Sequence, residues 1–142
     1  MKRLAFFLSV FIFISTALHA QLKDEQAIRL AMAEQQVAWN TGDLDLFMHT
    51  YWQSDSLQFI GKSGITYSWQ KTLENYKKGY PDTATMGKLD FNILEVRKLS
   101  ELYYFVTGKW YLTRSIGNVG GYYTLLFKKI NNRWVIVVDH SS

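Results

Sequence analysis

The chain has 142 residues, no cysteine, and 16 Lys and Arg against 12 Asp and Glu. That length accommodates one domain behind a leader, and the lack of Cys excludes a disulfide framework or a thiolate metal centre, so apolar burial must hold the fold. The basic pairs Lys77-Lys78, Arg97-Lys98 and Lys128-Lys129 are scattered rather than gathered into one run, so nucleic acid is not an expected partner.

The first twenty residues have the layout of a secretory signal peptide: Lys2-Arg3, an apolar run from Leu4 to Ile14, then small residues at Ser15, Thr16, Ala17 and Ala20. Cleavage is expected after Ala20, with Ala17 as the second choice, giving a leader of residues 1–20 and a single domain of 21–142. An uncleaved anchor is the alternative, but the apolar run is short for a span of about 20 residues. The expected location is therefore the periplasm or the exterior, with no membrane attachment after cleavage.

From Asp24, a natural N-cap, the residues Ile28, Met32, Gln35 and Trp39 recur at helical spacing until Gly42. Asp43 can cap a shorter helix with Leu44, Phe47, Met48 and Tyr51. Ser56–Ile60 alternates as a strand, residues 61–64 turn, and residues 65–67 form a second short strand. Trp69, Leu73, Tyr76 and Tyr80 then line one face of a third helix closed by Pro81. A loop around residues 82–87 leads into four strands, 88–99, 102–114, 121–130 and 133–140, expected as an antiparallel meander with bulges at Gly108 or Gly121. Helices followed by a long antiparallel sheet define an α+β fold, with the helices on the concave face of a curved sheet.

Asn131-Asn132 suits a two-residue hairpin turn, because Asn tolerates a left-handed backbone. That turn pairs Ile130 with Arg133 and Phe127 with Ile136, and continued alternation pairs Leu125 with Val138 and Tyr123 with His140. Trp134, Ile136, Val138 and His140 then share a face with Tyr123, and Trp110, Leu112 and Arg114 form a second stripe. An apolar wall ending in a few polar groups is the composition of a small-molecule pocket, and equally of a sheet packed on helices.

The pattern resembles the nuclear transport factor 2-like superfamily, shared by ketosteroid isomerase, SnoaL-type polyketide cyclases and the association domain of calmodulin-dependent kinase II. More narrowly it is similar to the exported bacterial branch called domain of unknown function 4440. The resemblance rests on Ala38-Trp39-Asn40-Thr41-Gly42-Asp43, Tyr51-Trp52, Gly61 with Gly64, Gly108-Lys109-Trp110, Gly121 with Thr124, and Trp134 through Ser142. It implies a cone whose helices and sheet enclose a pocket, with Trp110, Arg114, Tyr123 and His140 around it and Trp39, Trp52, Trp69 and Tyr76 approaching from the helix side.

Arg114 can clamp an anion through its guanidinium fork, pair with an acid such as Asp139 or Glu101, or reach solvent. His140 can serve as a general base or cap the sheet as a structural residue. No carboxylate is expected on the cavity stripes, and no metal or other cofactor is expected, since His49 and His140 share no ligand spacing. The leading expectation is an exported module binding a small apolar or anionic molecule. One alternative is a lyase or isomerase with His140 as base. Another is a homo-oligomerisation module. A homodimer is expected through outer-face aromatics Tyr103, Phe105 and Tyr111.

Overall fold

Residues 21–142 are described in a computed structural model; the expected leader, residues 1–20, lies outside the described residues. Helix α1 (Lys2–Asn40) is described from Gln21 onward. Its inner face carries Ile28, Met32, Gln35 and Trp39, all buried, at the spacing that predicts one amphipathic helix. Gly42, at φ +80°, ends the run in the left-handed region. Asp24 does not cap this helix as expected. It lies within α1, and its carboxylate accepts hydrogen bonds from Lys129 Nζ at 2.8 Å and Trp134 Nε1 at 3.0 Å, tying the helix to the sheet.

Asp43 caps α2 (Leu44–Met48) by accepting from the Leu46 amide at 2.8 Å. Strands β1 (Gln58–Gly61) and β2 (Gly64–Tyr67) form a short hairpin. Ser68 then caps α3 (Trp69–Gly79). The expected loop after Pro81 contains a one-turn helix, α4 (Thr83–Met86), closed by a capping box between Asp82 and Thr85. Four residues are too few to carry a helical period, which is why periodicity missed it.

The long strands β3 (Lys88–Lys98), β4 (Tyr103–Thr113), β5 (Val119–Ile130) and β6 (Arg133–Ser141) form the antiparallel meander. Strand β1 adds to β6 in parallel, giving the order β2-β1-β6-β5-β4-β3. The molecule is α+β, with the helices on one face of a curved, unclosed sheet. Burial concentrates between α1 and the sheet, where Tyr104, Phe127, Ile136 and Val106 are at most 1% exposed.

The hairpin between β5 and β6 turns at Asn131 and Asn132, both at positive φ, and Ile130 faces Arg133. Phe127 faces Ile136, so the expected register holds to that point. Beyond it Leu126 pairs with Val138, leaving Val137 as an extra residue on β6. This bulge reverses the alternation that follows. Leu125 faces Asp139 instead of Val138, and Tyr123 faces Ser141 instead of His140. A second bulge falls at Leu94 on β3, opposite Gly108, rather than at Gly108 or Gly121.

Candidate functional site

Helices α1, α2 and α3 and the concave face of the sheet enclose a cavity of about 740 Å³. Its helix-side wall is an aromatic cluster. The Trp39 ring meets Phe47, Tyr76 and Tyr80 edge-on, at centroid distances of 5.2, 6.0 and 4.8 Å. Edge-to-face contacts of this kind contribute about 0.5–1.5 kcal/mol each beyond area burial, so the wall is held in shape rather than merely apolar. Trp39 Nε1 donates to the Met86 carbonyl at 3.2 Å, which fixes its indole and gives the unexpected α4 a structural purpose.

On the sheet side, the bulge at Val137 brings Asp139 into the cavity wall, where only 4% of it is exposed. Tyr51 Oη donates to Asp139 Oδ2 at 2.6 Å, and Ser141 Oγ donates to Oδ1 at 2.7 Å. Tyr76 Oη lies 3.5 Å from Tyr51 Oη. Because the single Tyr51 proton points at Asp139, Tyr76 is the donor in that contact, and the three groups form a relay ending on the carboxylate. Burial pushes Asp139 up to about 6, outweighing the two hydrogen bonds and the nearby His140 that favour its charged form. Burial, and next the charge of Asp139, hold both Tyr51 and Tyr76 well above the usual phenol range. At neutral pH the cavity therefore presents the Asp139 carboxylate backed by neutral phenols.

Two further polar atoms are sealed into the wall with no hydrogen-bond partner among the described residues: Tyr123 Oη and Trp110 Nε1. Local geometry explains their placement. Tyr123 pairs across the ladder with Gly108 and lays its ring over that residue, where a Cβ would stand 2.3 Å from Tyr123 Cζ. Trp110 pairs with Gly121 in the same way, and a Cβ there would meet Ser142 and the indole nitrogen. Gly108 clears the space its aromatic partner occupies, while Gly121 chiefly makes room for the backbone of Ser142 beside the indole. Leaving a buried donor unsatisfied costs about 1–3 kcal/mol, a cost that a hydrogen-bond acceptor reaching either atom would offset.

Of the eight residues expected at a pocket, Trp39, Tyr76, Trp110 and Tyr123 line this cavity. The other four do not. Trp69 donates from Nε1 to the Met48 carbonyl at 2.8 Å and packs against the core. Trp52 is half-buried beneath Lys128, whose Nζ sits 5.9 Å from its ring centre. Arg114 lies one residue beyond β4, where Nε donates to Gly117 O at 2.7 Å and Nη1 to Thr85 O at 3.4 Å. Among the described residues it pairs with no carboxylate, and it braces the loop after β4 against α4. His140 is exposed and pairs with Thr124 on the outer face. The bulge is the physical reason: one extra residue exchanges Asp139 and His140 between faces.

Sequence reasoning missed Asp139, Tyr51 and Ser141. The signal was the unbroken apolar run Trp134–Val138, which a simply alternating strand would not show. Its middle is covered on the chain's own account. Ile136 bridges Tyr51, donates its amide to Thr50 O and accepts from the Trp52 amide.

A curved sheet with helices closing over a cavity on its concave face defines a cone-shaped α+β domain. The chain belongs to the nuclear transport factor 2-like superfamily. It is 42% identical to a nuclear transport factor 2-like protein of unknown function from Shewanella oneidensis, with a TM-score of 0.81 over 84% of this chain and 98% of that one. A nuclear transport factor 2-like superfamily protein from Salmonella enterica shares the fold at 19% identity and a TM-score of 0.71, over 86% of this chain and 92% of that one. A ketosteroid isomerase-like protein from Erwinia carotovora does so at 18% identity and a TM-score of 0.63, over 82% and 93%. A scan against protein-family models gives no match, so the assignment is to the superfamily and not to a branch within it. A comparison with curated proteins gives no match either.

Proposed function

We propose that this domain binds a small, largely apolar molecule carrying an oxygen acceptor. The observation that carries the reading is the pair of buried, unpartnered donors, Tyr123 Oη and Trp110 Nε1, in the wall of an otherwise aromatic cavity. A volume of about 740 Å³ falls within the roughly 300–1,000 Å³ typical of ligand sites. The polar end of the pocket is thereby assigned to Asp139, Tyr51, Tyr123 and Trp110 in place of Arg114 and His140. The test is native mass spectrometry of the protein from Gln21, purified gently from an exporting host, comparing wild type with a Tyr123→Phe/Trp110→Phe double variant. A co-purifying molecule held by wild type and lost from the variant is the expected result. Identical empty spectra, together with no saturable stabilisation by any apolar carbonyl compound, would move the weight to an assembly role.

A second reading, a lyase or isomerase, is favoured by one observation: the buried Asp139 carboxylate and the two donors share one cavity. In that reaction Asp139, rather than His140, takes a proton from a carbon beside a carbonyl. The electron pair moves to the oxygen held by Tyr123 and Trp110, and the proton returns to another carbon. Turnover of such a substrate should rise with an ionisation near pH 6 and vanish in Asp139→Asn.

Export and pairing complete the proposal. Residues 1–20 are the leader, and N-terminal sequencing of exported protein should begin at Gln21. The outer sheet face, with Tyr111 and Tyr122 about half exposed, forms a homodimer.

A further inference from the structure

The cavity is graded in charge from its rim to its interior. Its rim includes Lys62, in the turn between β1 and β2, and Lys78, in the last turn of α3. Both are exposed, and neither makes an ion pair among the described residues, whereas the neighbouring Lys71 and Lys77 are engaged with Glu74 and Asp45. Lys78 also suits the C-terminal turn of its helix, where a cation complements the dipole. Lys62 has no such role. Among the described lining residues Asp139 carries the one side-chain carboxylate, and it lies deeper: its ladder partner Phe59 precedes the turn, three residues before Lys62. At about 3.3 Å per residue, roughly 10 Å of strand separates the two levels.

The geometry points to an apolar carboxylic acid as the ligand class, its carboxylate between Lys62 and Lys78 and its apolar body against the aromatic wall, with an oxygen near Tyr123 and Trp110. This rests on the ligand-binding reading above and specifies its chemistry. A cationic ligand is disfavoured, because it must pass two unpaired ammonium groups to reach the buried carboxylate. A neutral ligand would leave Lys62 without a counter-charge, since only Lys78 is accounted for by the dipole of its own helix. Exposed ion pairs are weak individually, so the lysines act as a selector between acid and neutral compounds while the enclosed rings supply most of the affinity.

The experiment is isothermal titration calorimetry of the protein from Gln21 with 2-naphthylacetic acid and its neutral primary amide, at a pH where the acid is ionised. Wild type should bind the acid about three- to tenfold more tightly, the effect of two exposed charge pairs. In Lys62→Gln/Lys78→Gln the two affinities should converge, and raising ionic strength to about 0.5 M should weaken only the acid. Both lysines are exposed, so the thermal unfolding of the variant should match wild type and shows that any loss is local. Equal binding of acid and amide by wild type would overturn the acid preference and leave the cavity reading standing. An acid preference that survives in the double variant would equally overturn the assignment to these lysines. Binding of neither compound would overturn both.

Discussion

At the scale of single residues, the cavity's chemistry turns on which hydrogen bonds are satisfied. Burial raises Asp139 from 3.8 to about 6, so the folded protein holds this proton more tightly than the unfolded chain. Stability from this group is therefore gained as pH falls from neutral through 6 toward 4, and lost as pH rises through the same window. Two pKa units amount to about 3 kcal/mol. Asp24 has the opposite sense. Burial would raise it, but hydrogen bonds from Lys129 and Trp134 hold it below the usual carboxylate range, so its contribution is lost on acidification. Asp139→Asn keeps Asp24 unchanged, so the difference between wild type and variant isolates Asp139. In urea unfolding, wild type should gain on the variant by up to about 3 kcal/mol between pH 7 and 4, and a flat difference would contradict the buried carboxylate. The phenols separate in the same way. Tyr51→Phe removes a donor to a charged group and should cost about 1.5–3 kcal/mol, while Tyr123→Phe removes an unpartnered one and should be neutral or slightly stabilising. Equal losses would mean that Tyr123 has a partner within the protein.

At the scale of elements, one irregularity in the sheet decides what faces the polar end of the cavity, and the sequence discloses it less than it discloses the helices. The helices announce themselves locally: the Ile28 to Trp39 period, Asp43 as a cap, Gly42 as a stop. The β5–β6 register follows as locally from Asn131-Asn132, and alternation remains a sound guide up to Phe127 and Ile136. The bulge after that is tertiary. It sits beside Ile136, where residues 50–52 bond to the strand, and one extra residue was enough to exchange Asp139 for His140. The aromatic half of the site was legible because Trp39, Tyr76, Trp110 and Tyr123 lie on runs whose phase no bulge disturbs. The polar half was not. Gly108 offers the element-scale test. A Cβ there would stand 2.3 Å from the Tyr123 ring and 2.7 Å from Asn92 O, so Gly108→Ala must push both the ring and the β3 backbone. Overpacking of this kind costs about 1–3 kcal/mol. In a Tyr123→Ala background the ring clash disappears and only the backbone clash persists, so a double-mutant cycle by urea unfolding should show coupling above about 0.5 kcal/mol. Strict additivity would mean that the glycine serves the bulge alone.

At the scale of the whole molecule, the two faces of the sheet carry aromatic residues under different conditions. The concave face seals them against the helices. The outer face leaves them to solvent, to cations or to a second copy of the chain. Some are already covered within one chain: Arg97 lies 5.5 Å above the Phe105 ring, and Lys128 lies 5.5 Å from Tyr103. Such contacts contribute about 0.5–1 kcal/mol at exposed sites, enough to make Tyr103 and Phe105 tolerable on a monomer. Tyr111 at 46% exposure and Tyr122 at 55% remain open, although Lys109 approaches the latter at 5.0 Å. These observations make the proposed dimer a sharp question, because a two-fold interface counts every substitution twice. Phe105→Glu would place a carboxylate on that face from each copy and should convert the dimer to monomer in sedimentation velocity. The substitution removes the Arg97–ring contact, so the separated monomer should lose about 0.5–1 kcal/mol of stability and stay folded. A wild-type protein that sediments as a monomer at tens of micromolar would instead mean that the cations suffice to cover this face. The cavity is built from one chain in either case, so ligand affinity should be the same in Phe105→Glu as in wild type, and a loss of affinity on dissociation would show that the second copy shapes the pocket.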